Sequence, residues 1–254
     1  MKHPIQQYKL LMIGSLFGLV VWILSPSVRA EGPAPKTTLP IPEYEAEYKI
    51  SWHNIPAGSS KHRLTLRSDG VYHLDTQSAP YIKMIPLGYI EKSDFKYNEG
   101  KIRPLNYYYD NKEGGRHKKG FVAFDWKKQI VGNPVRKDPW KQPLKEGTLD
   151  KLTQALQCRL DLLNGQKNAF VYTVADVNQV TEYHYTLLDR APLKTNLGVL
   201  STLKLEYISK KNGNKTWMWL ATDYQYLPVK VQHFRKNKMV GDGEIISYTP
   251  KNRT

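Results

Sequence analysis

From Tyr44 onward the chain alternates. Tyr44, Ala46, Tyr48, Ile50 and Trp52 are apolar, and Glu45, Glu47, Lys49 and Ser51 between them are polar. A period of two sends the two sets to opposite faces of a strand, one buried and one wet. The same alternation predicts further strands at Ser93 to Tyr97, Leu105 to Tyr109, Gly120 to Trp126, Phe170 to Ala175, Glu182 to Leu188 and Leu200 to Ser209. It continues at Lys215 to Leu220, Val229 to Phe234 and Gly243 to Tyr248. Asn212-Gly213 is the strongest short hairpin signal in the chain.

One hairpin fixes its own register. Leu64 and Leu66 alternate before Ser68-Asp69-Gly70, and Tyr72, Leu74 and Thr76 alternate after it. A two-residue turn would put Leu66 opposite His73 and split the apolar residues between faces. A three-residue loop with Gly70 left-handed pairs Leu66 with Tyr72 and Leu64 with Leu74. The second register is expected.

One segment breaks the pattern. Leu149, Leu152, Leu156, Leu160 and Leu163 recur at three and four, the spacing of one helical face. Thr148 reads as the N-cap, Asp150 suits the first turn, and Asn164-Gly165 ends the helix. A lone helix amid strands must bury that stripe against a sheet. Trp217-Met218-Trp219-Leu220 is apolar on both faces, as is Phe121 to Trp126, which predicts strands covered on both sides. The expected fold is mainly β: a strongly curved antiparallel sheet, or a partly open β-barrel, with one packed α-helix. Tyr and Trp line its concave face, and the helix plugs or backs it.

The first thirty residues follow another rule. Met1 to Lys9 carries Lys2 and Lys9, Leu10 to Leu24 is uncharged and almost wholly apolar, and Ser25 to Ala30 ends in small side chains around Arg29. That order reads as a secretory signal peptide, residues 1–30. Its apolar run falls short of the ~20 residues a spanning helix needs, so the exported chain is not expected to span the membrane. Residues 31–42 read as a Pro- and Thr-rich extended leader, 43–250 as one β-rich domain and 251–254 as a tail. One Cys, Cys158, excludes an internal disulfide, so the core alone must hold the exported fold.

Several segments together resemble a known family. They are Tyr48 to Gly58, Gly120 to Asp125, Gln157 to Leu162, Thr195 to Gly198, Trp219 to Asp223 and Tyr226 to Val231. Their order and spacing are similar to those of the exported bacterial family catalogued as domain of unknown function 3108, over roughly Tyr44 to Tyr248. The resemblance implies a protein of the Gram-negative periplasm or cell envelope and a β-rich fold. It supplies no activity, catalytic residue or cofactor. That family's helix often has Asp where Cys158 stands, so Cys158 is not a family site.

Catalytic chemistry is hard to find. There is no His-Glu-x-x-His, no Gly-x-Ser-x-Gly and no Gly-rich phosphate loop. His53, His62 and His73 form a loose group, but the hairpin register sends His62 and His73 to opposite faces, so no shared metal is expected. Cys158 reads as a buried, inert thiol. Asp125, Asp161 and Asp223 read as turn and cap acceptors rather than acid–base groups. No catalytic residue, metal or cofactor is expected.

Charge narrows the partners. The net charge is +15, and removing Lys2, Lys9 and Arg29, with no acid, takes it to +12. Such a surface attracts anions at long range. Outside the cytoplasm these are lipid, lipopolysaccharide or an anionic wall polymer rather than nucleic acid. Arg116, Lys118, Lys119, Lys127 and Lys128 are the expected anionic-partner patch. Tyr48, Trp52, Tyr107, Tyr109, Trp217 and Trp219 are the expected ligand-binding aromatics. The sequence therefore favours a non-catalytic binding or carrier module for an amphipathic or anionic envelope component. An envelope assembly protein with a solid interior is the alternative, and a hydrolase of envelope polymers a third. A sealed core would favour the second reading, and a deep cleft with paired carboxylates the third.

Overall fold

Each alternating run becomes a strand. A computed structural model describes residues 38–81, 88–113, 116–135, 139–167, 169–210 and 213–251. The expected signal peptide and most of the leader lie outside these residues. The first eight strands are β1 (Tyr44–Trp52), β2 (Ile55–Leu66), β3 (Tyr72–Pro80), β4 (Gly88–Asn98), β5 (Lys101–Glu113), β6 (Arg116–Asp125), β7 (Ile130–Asn133) and β8 (Trp140–Pro143). A two-residue strand β9 (Leu149–Asp150) precedes the helix α1 (Thr153–Leu163). The chain continues through β10 (Phe170–Asp176), β11 (Gln179–Thr195), β12 (Gly198–Ser209), β13 (Lys215–Ala221), β14 (Leu227–Arg235) and β15 (Lys238–Pro250).

Among the described residues all fifteen strands belong to one sheet, in the order β8 to β1 and then β15 back to β9. Each half of the chain is thus an up-and-down meander, and β1 and β15 join the halves, with Tyr44 opposite Pro250. The pairings are antiparallel except the short parallel contact of β9 with β10. The hairpin register is the expected one, Leu64 opposite Leu74 and Leu66 opposite Tyr72, with Gly70 at φ +77°. The Asn212-Gly213 turn lies partly outside the described residues, but it joins paired strands, β12 and β13.

The ladder does not close between β8 and β9. Side chains bridge the seam instead. Ser93 on β4 donates to the Asp150 carboxylate at 2.6 Å, and the Trp140 indole donates to the Val177 carbonyl at 2.8 Å. Gly120 on β6 sits so close to Val177 that a Cβ there would lie 2.2 Å from a Val177 methyl. A small core of Tyr107, Val122, Phe124, Val131, Leu144 and Ala175 packs beneath this seam.

The helix plugs the curved sheet rather than backing it. Eight of its eleven residues are buried, which uses every side of the rod. Leu156, Cys158, Leu160 and Leu162 join one core with residues of both meanders. The expected leucine stripe needs two corrections. Leu149 belongs to β9, and Leu163 is 38% exposed at the helix end. The start moves too. Asp150, not Thr148, takes the free amides, accepting from Leu152 and Thr153 at 2.8 Å each. Asn164 and Gly165 do end the helix, Gly165 at φ +88°. Another departure lies at the end of the leader. Leu39 and Ile41 are fully buried, and the Leu39 amide donates to the Tyr72 hydroxyl, so this part of the leader is held in the core.

Candidate functional site

A cavity of about 610 Å³ lies between the helix and the inner face of the curved sheet. Its floor is the α1 face carrying Ala155, Leu156 and Arg159, with Leu152 just before the helix. Its walls are inward positions of most strands, among them Tyr48, Leu74, Tyr109, Tyr207, Met218 and Val231. Period-two alternation builds this lining: every second residue of a strand faces in. Lys112 and Arg235 line the cavity near strand ends; Lys215 borders it too, but its ammonium lies 5.0 Å from the Trp217 ring and 3.8 Å from Glu206.

Three of the expected ligand-binding aromatics, Tyr48, Trp52 and Tyr109, line this cavity. Tyr48 is held by its hydroxyl, which donates to the Pro228 carbonyl at 2.8 Å. Tyr107 lies one layer deeper, fully buried, and donates to Glu91. Trp217 and Trp219 are a correction. Met218 and Leu220 take the inward positions of β13, so both tryptophans stand on the outer face. There the cover is charged chains rather than a second layer. Lys204 lies over the rings at 3.8 and 4.9 Å, and the Trp217 indole donates to Glu206 at 2.7 Å.

The basic residues do not form one patch. Lys118 stands opposite Asn111, a cavity-mouth residue, so Arg116, Lys118 and Lys119 flank the opening. Lys127 and Lys128 follow the far end of β6, roughly 30 Å away at ~3.3 Å per residue. All five are exposed. Lys119 is also tied to Asp110 at 3.2 Å, and Lys128 to Asp125 at 3.4 Å.

Polar groups inside the cavity are mostly committed. Lys151 pairs with Glu91 at 3.5 Å and lies over the Tyr109 ring. The Asp176 carboxylate accepts from the Val177 amide at 2.7 Å. His62 lies tilted against Tyr48 with ring centres 4.5 Å apart, and burial holds its imidazole down at about 4. His233 is exposed where it opens onto the cavity, and its ring lies 2.9 Å from the Thr216 hydroxyl. His73 faces the other way and bonds Asp94 at 2.6 Å. Among the described residues no three potential metal ligands converge. Cys158 is fully buried, and burial pushes its thiol well up. Asp161 accepts from Tyr172 and Gln157, and Asp125 from the Lys128 amide.

Arg159 was missed by the sequence reading. It is 2% exposed and reaches the cavity floor. The available signal was its place in the Leu152, Leu156, Arg159, Leu163 series, a cation on the apolar helix face.

The family model described as a protein of unknown function, DUF3108, matches residues 47–241. No curated protein sequence matches the chain. Among solved structures, a β-barrel-like protein of domain of unknown function DUF1849 from Brucella abortus superposes with a TM-score of 0.55 at 9% identity. The match covers 85% of this chain and 100% of that one. A structure described as MucB overlaps with a TM-score of 0.34 at 8% identity, covering 84% of this chain and 55% of that one. At such identity the first likeness speaks for the fold alone.

Proposed function

The chain belongs to the DUF3108 family, and on that premise we propose that it is an exported, non-catalytic protein of the Gram-negative periplasm that binds or carries an anionic amphiphile of the envelope. The observation that carries this reading is the cavity of about 610 Å³ with aromatic and aliphatic walls and cations at its mouth. Sites for small ligands run from roughly 300 to 1,000 Å³ and are mostly apolar with a few placed polar groups. A space of this size suits one acyl chain better than a lipid with several. The basic mouth draws an anion inward, and the apolar wall holds its tail.

An assembly protein with a solid interior is disfavoured by the same cavity. A hydrolase has one point in its favour, the Glu91, Asp176 and Asp242 carboxylates in the lining. Glu91, however, is engaged by Tyr107 and Lys151.

Native mass spectrometry of protein recovered from its own periplasm tests the proposal. The expected result is one amphiphile per chain, lost when Ala155→Phe fills the floor. Ligand-free protein that also takes up no added single-chain amphiphile would overturn it.

A further inference from the structure

Arg159 is a buried cation with an unfinished set of partners. Its Nε donates to the Gln225 carbonyl at 3.0 Å, and Nη1 reaches the Tyr44 hydroxyl at 3.4 Å. Nη2 is buried and has no partner. The Tyr248 hydroxyl is likewise buried and unpartnered, and its ring packs on Tyr44 at 5.6 Å. Among the described residues no carboxylate pairs with Arg159, whereas Lys151 in the same cavity has Glu91. A guanidinium stays charged at any working pH. Burying that charge without a counter-ion is costly, and the cost falls when an anion arrives. A guanidinium with a free edge also has the planar donor geometry that carboxylates and phosphates accept.

Resting on the cavity reading above, we propose that Arg159 is the internal anchor for the anionic head of a single-chain amphiphile. The head, a carboxylate or a phosphate monoester, sits at the floor over the guanidinium, and Nη2, which has almost no accessible surface, turns into the cavity to donate to it. The tail runs up the wall past Tyr48 and Met218 toward the mouth. The cations at the mouth steer the ligand, and Arg159 fixes its direction.

The test compares amphiphiles of one chain length: a fatty acid, the alkyl phosphate, the alcohol and the trimethylammonium salt. Binding to the purified protein is measured by calorimetry. The acid or the phosphate should bind best, the tighter of the two identifying the head, and the trimethylammonium salt worst. Arg159→Gln should weaken the preferred anion by about 10- to 100-fold, as loss of a charge-assisted hydrogen bond implies, and leave the alcohol unchanged. Arg159→Lys should keep part of the preference. Should Arg159→Gln not fold, wild type is compared with a variant carrying Lys112→Glu and Lys118→Glu: the equilibrium preference for the anion over the alcohol should survive that change, and its loss would assign the preference to the mouth and overturn the inference. Fatty-acid binding to wild type should also fall as the acid is protonated at low pH, while alcohol binding stays flat. If wild type binds acid, phosphate and alcohol alike, Arg159 is structural only and the inference fails while the cavity reading stands. If it binds none of them, both fail.

Discussion

His62 and Asp150 pull stability in opposite directions with pH. Stability rises with pH wherever the unfolded state holds more protons than the folded one. His62 is held down at about 4 by burial. Between pH 4 and 6.5 it is protonated only in the unfolded chain, so its contribution is lost as pH falls through that window. Burial lifts Asp150 from 3.8 to about 6 despite its bonds to Ser93 and the Thr153 and Leu152 amides. Between those values it is protonated only in the folded chain, so its contribution is lost as pH rises. Each shift corresponds to roughly 3 kcal/mol. Urea midpoints of wild type, His62→Gln and Asp150→Asn from pH 4 to 7 separate the two. His62→Gln should make acid less destabilising and Asp150→Asn more so. Parallel profiles for all three proteins would show that neither group titrates with folding.

Two elements hold the curved sheet in shape, the plug and the seam. Leu160 on α1 is fully buried in the core shared by both meanders. Leu160→Ala should cost about 2–5 kcal/mol by transfer and cavity terms together. That is a large share of the roughly 5–15 kcal/mol a domain has. A melting temperature within a degree of wild type would mean that the helix end is not packed as described. At the seam, Gly120→Ala places a methyl against the Val177 side chain, including its Cβ at 2.6 Å. Overpacking of this kind costs about 1–3 kcal/mol. Val177→Gly in the same chain should recover most of the loss, and a double-mutant cycle showing additive effects would place the two apart.

At the scale of the whole molecule, charge is uneven in its use. Lys112 and Lys118 stand at the mouth, and Lys127 and Lys128 close the far end of the same ribbon. Steering is a matter of where the field is focused, and salt screens it over about 10 Å at 0.1 M. Replacing Lys112 and Lys118 by Glu should slow association of an anionic amphiphile several-fold at low salt, and the difference should shrink at 0.5 M. Replacing Lys127 and Lys128 should change the rate little, and both pairs should leave the melting temperature nearly unaltered because exposed charges add little stability. Stopped-flow binding resolves this. Equal slowing from the two pairs would make the effect one of net charge rather than of the mouth.

Much of the fold was legible in the chain because strand and turn signals are local. The period of two placed the strands, and Gly70 at a left-handed position fixed one register before any partner strand was known. Asn164 and Gly165 likewise marked the helix end. The helix start was not legible. Its cap depends on Asp150, which β9 and Ser93 hold in place from elsewhere in the sequence. The side of β13 that faces inward was hidden for a related reason. Trp217 and Met218 are both apolar, so hydropathy gave no sign, and only the closure of two meanders around α1 chose Met218. The cavity itself exists between residues far apart in the chain, as does the lack of an ion pair to Arg159 among the described carboxylates. Local pattern sets which side chains alternate, but distance between side chains is set by how the sheet curls, and the candidate site is made of such distances.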